Sequence, residues 1–382
     1  MDSLNPELAL LPAGLHDLLP PDAEREAALV ECAMGVFKAH GYDRVKPPLA
    51  EFEESLLSGV GRAWSLQTFR LLDPDSQRMM AIRADMTLQV ARLSATRLIK
   101  APRPLRLSYS GEVLRVGGAQ LSPERQFRQL GCELIGSLEP GADAEIVVLA
   151  TDALHRMGVR GLSIDLNLPT LVPLIFAAYG ISGDAERQLA QALTHRDTSV
   201  VRAAPEAGPL LLALLEVAGP ADAALKKLEA IHLPESARPA RDRLVETIRI
   251  IRQTHPELKL TVDPLERQGF EYQTGLSFTI FARGSRRELG RGGRYRIGGE
   301  TGEPAVGFSL FADALAKAAP HLEKVRRVFL PIGSTPADAH RLRKDGWATI
   351  AGLTCVDDNK AEAKRLGCDH VLMGMGQEPV AV

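Results

Sequence analysis

Apolar residues recur along this chain at two periods, one helical and one of strands, and the period switches region by region. After Pro20-Pro21-Asp22, the residues Val30, Ala33, Met34 and Phe37 fall on one helical face. Asp22 is expected to cap this helix, Glu24 and Glu26 suit its positive end, and Gly41 suits the position just past its C-terminus. The period then drops to two. Runs over 68–73, 79–84, 105–115 and 128–135 read as strands. The stretch 44–52 carries Pro47-Pro48 and reads as an edge strand or one broken at an interface. In the third run Leu105, Leu107 and Tyr109 alternate with Arg106, Ser108 and Ser110. In the fourth, Leu130, Cys132 and Leu134 face one way and Gln129, Gly131 and Glu133 the other. Two polar side chains flanking a glycine make either a pocket floor, with room for a ligand over the glycine, or the outer face of a half-exposed strand.

From about 169 to 255 the pattern is helical and rich in Ala and Leu, broken at Gly180, Gly183, Pro205, Gly208, Gly219-Pro220 and Pro234. This predicts a helical insertion within a β-based domain. Alternation returns over 270–282, with Phe270, Tyr272, Thr274, Leu276, Phe278 and Ile280 on one face. The strands up to this point follow one another through short turns, which predicts antiparallel pairing. Past 323 the order is strand 328–332, a helix opened by Thr335-Pro336 and stopped at Gly346, strand 348–353, helix 359–366 and strand 369–373. That is a compact βαβαβ unit with parallel strands. The expected domains are therefore 1–323 and 324–382.

Composition changes this picture little: 45% of residues are apolar, 25% are charged, and the net charge of −2 gives no overall field to attract nucleic acid. Cys32, Cys132, Cys355 and Cys368 show no paired spacing, and Cys132 and Cys368 lie in apolar runs that suit core thiols. No secretory signal pattern opens the chain and the longest apolar run, over 210–217, is far short of a membrane span. A reduced cytoplasmic location is expected. No metal-ligand spacing is present among the scattered histidines, and no cofactor is expected. The cluster Gly290-Arg291-Gly292-Gly293-Arg294-Tyr295 lacks the Gly-Lys-Ser/Thr and following helix of a phosphate loop and reads as a turn between strands. Ser108 and Ser110 sit in a strand without a nucleophile elbow, so a hydrolase triad has no support.

The stretch Gln268-Gly269-Phe270-Glu271-Tyr272-Gln273-Thr274-Gly275 closely resembles the histidine-specific signature of histidyl-tRNA synthetases, Arg-Gly-Leu-Asp-Tyr-Tyr-Thr-Gly, without its arginine. Other stretches resemble that family in order. Gly41-Tyr42 through Pro48 looks like motif 1, the dimer interface of class II synthetases. Ile82-Arg83-Ala84-Asp85-Met86-Thr87 is similar to Leu-Arg-Pro-Glu-Gly-Thr, whose acid and threonine hold the histidine α-amino group. Leu114-Arg115 stands where motif 2 has Phe-Arg. Arg125-Gln126-Phe127-Arg128-Gln129-Leu130-Gly131-Cys132-Glu133 resembles Arg-Gln-Phe-His-Gln-Leu-Gly-Cys-Glu. Gly292-Gly293-Arg294-Tyr295 and Pro304-Ala305-Val306-Gly307-Phe308-Ser309 are similar to the approach to motif 3.

The resemblance implies an α+β fold: a class II aminoacyl-tRNA synthetase-like antiparallel sheet flanked by helices, with a helical insertion and a small C-terminal α/β unit. It implies a histidine pocket of Asp85, Thr87, Arg115, Gln129, Glu133, Tyr272 and Gln273. It also marks four losses on the ATP side, where the family's charged residues fall on Gly117, Pro123, Gln268 and Ala314. Arg267 is adjacent to Gln268, but a one-residue slip in a strand points it to the opposite face. Only Arg115 remains of four positive groups aimed at ATP, and a rate useful for adenylation is not expected. The C-terminal unit is short for an anticodon-binding domain, so tRNA is not an expected partner. This pattern is similar to a non-aminoacylating paralogue family, the regulatory subunits of ATP phosphoribosyltransferase. Such subunits assemble with a short-form catalytic subunit as a hetero-octamer, four of each kind, and convey feedback inhibition by histidine. A divergent active histidyl-tRNA synthetase and a stand-alone histidine sensor or tRNA-binding scaffold are the alternatives.

Overall fold

Helix Asp22–Ala39 buries Leu29, Val30, Ala33, Met34 and Phe37, the face its sequence period marks out. Asp22 is its first residue and not its cap; Pro21 holds the cap position, and no side chain caps the helix. Gly41 follows at φ +82°, a left-handed conformation that a side chain would strain. In this computed structural model, residues 10–118, 123–204, 206–266, 273–299, 301–320 and 325–382 are described. The chain divides into two compact units, Met1–Pro320 and His321–Val382. The boundary read from sequence, 323/324, lies outside the described residues.

The first unit is built on a nine-stranded sheet. Its strands, in spatial order, are Asp43–Arg44, Leu105–Leu114, Gln126–Ile135, Glu303–Phe311, Gly290–Ile297, Ser277–Ala282, Leu162–Asn167, Lys259–Asp263 and Gly219–Pro220. The six strands from Leu105–Leu114 to Leu162–Asn167 pair antiparallel. The pairing is not antiparallel throughout, as the short turns predict. Leu162–Asn167 runs parallel to Lys259–Asp263, and Asp43–Arg44 parallel to Leu105–Leu114. The physical reason in the first case is the intervening helical segment, Leu171–Ala178 through Arg238–Thr254, which acts as a long crossover and returns the chain in its original direction. That segment contributes its own strand, Gly219–Pro220, to the edge of the sheet.

A second departure concerns the glycine cluster. It is not a turn. Gly290–Ile297 is an internal strand, hydrogen-bonded on both sides. Its glycines let neighbouring side chains close over the backbone; a Cβ on Gly292 would lie 2.4 Å from the Phe278 ring. One face of the sheet carries Cys132 and Phe308, whose ring meets Phe37 edge-on at 5.6 Å. Helices Asp22–Ala39 and Pro140–Arg156 pack on that face. The opposite face carries the candidate site. Beside it, the stretch with Pro47-Pro48 ends in Ala50–Phe52, an edge strand of a three-stranded antiparallel sheet with Met79–Ile82 and Arg70–Leu72.

In the second unit, Arg327–Leu330 lies between Ala348–Ala351 and His370–Val371, parallel to both. Helices Pro336–Lys344 and Asn359–Arg365 connect them. Thr335 caps the first helix, its hydroxyl accepting from the Asp338 amide at 3.1 Å. A fourth strand, Val380–Ala381, pairs antiparallel with His370–Val371 and is too short to show alternation in the sequence. Among the described residues no helix is long and apolar enough to cross a membrane, and no group of three or more metal-ligating side chains could hold an ion.

Candidate functional site

Gln129 and Glu133 project from strand Gln126–Ile135 and are both fully buried. The strand is covered on both faces, so it is not half-exposed. Nor does Gly131 leave room for a ligand. Tyr109 stands directly across from it, and a Cβ on Gly131 would lie 2.6 Å from the tyrosine oxygen. The phenol fills the space over the glycine. The open position is one strand further, where Gly307 pairs with Glu133 and the Glu133 carboxyl lies over bare backbone.

Asp85 and Thr87 enter from the junction of strand Met79–Ile82 with helix Thr87–Ala95. One Asp85 oxygen accepts from the Thr87 amide at 2.8 Å and the other from Gln129 Nε2 at 2.9 Å. Gln129 is fixed from both ends. Its Oε1 accepts from the Met86 amide at 2.8 Å, and its Nε2 also donates to Ser309 Oγ at 2.6 Å. Glu133 accepts from Tyr109 at 3.1 Å and from Tyr295 at 2.9 Å. Tyr109 also sits 3.0 Å from Ser309 Oγ and 3.2 Å from Thr87 Oγ1. The structure thus brings Asp85, Thr87, Gln129 and Glu133 into one bonded network. Burial pushes the Glu133 pKa up to about 8; hydrogen bonds from Tyr295 and Thr87 pull against that rise, and the Asp85 charge adds to it. Burial, then the Glu133 charge, raises Tyr109 well above its ordinary range.

The cavity over this network holds about 230 Å³. Arg115 and Arg291 stand on its wall with Gln273. The Arg115 guanidinium lies between the Trp64 and Phe127 rings, at 4.6 and 4.8 Å, and its Nε donates to the Ala84 carbonyl at 3.2 Å. Arg291 donates to Glu288 at 3.1 Å. Gln273 is buried over Gly293, and its Nε2 donates to the Gly292 carbonyl at 3.2 Å. Arg294 is turned to structural use instead, buried against Asp143 at 2.8 Å, with Arg243 on the other carboxylate oxygen at 3.1 Å.

Three of the ATP-side losses do not themselves line this cavity. Gly117 and Pro123 are exposed, and Ala314 is buried in helix Ala312–Ala318 within the core. Gln268 and Tyr272 lie outside the described residues, as does Arg267. Sequence reasoning missed Tyr109, Tyr295, Ser309 and Arg291. Tyr109 was visible in the sequence only as a strand residue, since its place across from Gly131 is set by register. Arg291 was hidden by reading its strand as a turn. Chemically, the floor offers two carboxyls bonded to neutral donors, and among the described residues neither is in an ion pair. This is a seat for a small cationic group.

A family description of histidyl-tRNA synthetases matches residues 14–315. A relative from Rhodospirillum centenum, an ATP phosphoribosyltransferase regulatory subunit, is 56% identical over 98% of this chain and 97% of that one. The chain belongs to the ATP phosphoribosyltransferase regulatory subunits. Another member of this family, from Paramagnetospirillum magneticum, is 56% identical over 95% of this chain and 96% of its own. Among solved structures, an ATP phosphoribosyltransferase regulatory subunit/histidyl-tRNA synthetase from Bacillus halodurans superimposes with a TM-score of 0.82, covering 98% of this chain and all of its own, at 23% identity. That likeness shows the fold: class II synthetase-like, a mixed sheet flanked by helices, as in the family at large.

Proposed function

We propose that this chain works with a short-form ATP phosphoribosyltransferase catalytic subunit in the first step of histidine biosynthesis, as the non-catalytic partner, and that its cavity binds histidine as feedback effector. The family membership supports the partner. The observation that carries the ligand is the cavity floor, where Asp85 and Glu133 have only neutral donors. In this reading the histidine α-ammonium sits at Asp85 and Thr87, its carboxylate faces Arg115, and its ring lies among Gln129, Glu133 and Gln273. A cation there gives the buried Asp85 carboxylate a charged partner.

Aminoacylation is not part of the proposal. Gly117, Pro123, Gln268 and Ala314 carry no charge toward ATP, and each missing charge-assisted contact is worth about 1.5–3 kcal/mol. The near-neutral net charge of −2 argues against tRNA as a partner. The proposed assembly is a hetero-octamer, four of each subunit, built on a class II-like dimer of this chain in the cytoplasm. The test is twofold. The purified chain should bind histidine by calorimetry and show no histidine-dependent ATP–pyrophosphate exchange. Robust exchange would make it a synthetase instead, and histidine binding without association to a catalytic subunit would make it a stand-alone sensor.

A further inference from the structure

Three arginines line a second cavity, of about 460 Å³, between the helical segment and the sheet. They are Arg243 from helix Arg238–Thr254 and Arg294 and Arg296 from strand Gly290–Ile297. Among the described residues, no acidic side chain lines this cavity. Arg294 is already spent: it holds Asp143 and donates to the Ser137 carbonyl at 2.7 Å and the Glu139 carbonyl at 3.0 Å. Arg243 reaches the same carboxylate through Nη1 at 3.1 Å. Arg296 donates through Nη1 to the neutral Gly302 carbonyl at 2.9 Å. A guanidinium has several N–H donors, so Arg243 and Arg296 both keep donors for a further partner.

The charges here do not balance. Asp143 answers one of three guanidinium groups, which leaves a surplus of two positive charges. The neighbouring acid Glu303 is held elsewhere, by Arg103 at 2.6 Å. Burial lowers the Arg294 pKa; the Asp143 charge opposes that, and the charges of Arg243 and Arg296 add to the lowering. Two helices begin at the rim, Leu171–Ala178 and Arg238–Thr254, and no side chain caps either of them. Their first turns place Pro173 and Pro239 on the wall, so the positive ends of both dipoles add to the field of the arginines. Thr170 and Ser236, just ahead of these helices, also line the cavity and bring hydroxyls. Leu138, Leu174 and Leu276 give it an apolar side.

We propose that this cavity is a second ligand site that takes a small organic phosphate, its oxygens at Arg243 and Arg296 and its organic part against the leucines. A phosphate dianion matches the two surplus charges, whereas a carboxylate matches one. Its oxygens accept from several directions at once, which suits donors that arrive from a helix and from a strand. The site is separate from the histidine cavity. Tyr295 lines both, and its hydroxyl donates to Glu133. The proposal does not depend on the histidine reading.

The test is calorimetric titration of the full chain with phenyl phosphate and with benzoate, a monoanion of similar shape. Phosphate-free buffer is used, well above the second ionisation of a phosphate at about pH 6. Phenyl phosphate should bind about tenfold or more tightly than benzoate. Arg296→Gln should weaken phenyl phosphate about tenfold. Thr170→Asp should weaken it comparably, because it brings a carboxylate to the wall while keeping a residue suited to the start of a helix. Excess histidine should leave phenyl phosphate binding in place. If Arg296→Gln does not fold, Thr170→Asp decides. No binding of phenyl phosphate at millimolar concentration overturns the site, as does an affinity that both variants leave unchanged. Displacement by histidine would put the phosphate in the other cavity and overturn it too. Benzoate that binds as tightly as phenyl phosphate overturns the choice of phosphate.

Discussion

Burial raises the Glu133 pKa to about 8, against an ordinary value of 4.5. Between those values the folded chain holds a proton that the unfolded chain has lost, so the contribution of Glu133 to stability is greatest below about pH 4.5 and falls as pH rises toward about 8. Glu133→Gln removes this titration while keeping an acceptor for one tyrosine. The variant's unfolding temperature should therefore gain on wild type between pH 5 and pH 8, and it should bind histidine weakly. Parallel pH profiles for the two proteins would show that Glu133 does not carry the dependence. Asp85 tells a complementary story. Its two oxygens are engaged by the Thr87 amide and the Gln129 side chain, so Asp85→Ala would release Gln129 Nε2 to Ser309 alone. Loss of histidine affinity with a retained fold is expected by calorimetry and circular dichroism; unchanged affinity would place the α-ammonium elsewhere.

Strands, more than side-chain identity, decide where this chemistry sits. Gly307 is small because its neighbour's carboxyl occupies the space, and a Cβ there would lie 1.8 Å from Glu133 Oε2 and 2.6 Å from the Cys132 carbonyl. Gly307→Ala should cost about 1–3 kcal/mol by urea unfolding, since the buried carboxyl must shift. A cost near zero would mean that the strand yields easily. Asp143 sits at a comparable junction: helix Pro140–Arg156 supplies the acid, helix Arg238–Thr254 supplies Arg243, and strand Gly290–Ile297 supplies Arg294. Asp143→Ala leaves two guanidinium groups facing each other, that of Arg294 buried, and should cost about 3–5 kcal/mol in the same assay. Period and alternation were enough to read the helix Asp22–Ala39, the strands Leu105–Leu114 and Gln126–Ile135 and the polar face of Glu133. They could not reveal that Gly290–Ile297 is a strand, because glycines carry no alternation and their role is defined by side chains from other strands. Nor could they show the parallel pair Leu162–Asn167 with Lys259–Asp263, which depends on the path of the long helical segment between them. Tyr109 was visible as a strand residue, but its closure over Gly131 is a fact of register.

At the scale of the whole molecule, the chain keeps a class II synthetase-like sheet and belongs to a family of regulatory subunits. The fold and the family were legible in the order of motifs, since spacing between motifs survives substitution within them. The contrast that needs chemistry is between neutral residues at Gly117, Pro123, Gln268 and Ala314, where the synthetase motifs have charged ones, and a bonded acidic floor at Asp85 and Glu133. In the proposed reading the chain senses histidine and passes the result to a partner, since an effector acts through its differential affinity for two states of an assembly. The most direct test is the rate of ATP phosphoribosylation by a short-form catalytic subunit, measured alone, with this chain, and with this chain plus histidine. The account predicts a rate that rises when the chain is added and falls again with histidine. A rate that the chain leaves unchanged would contradict it.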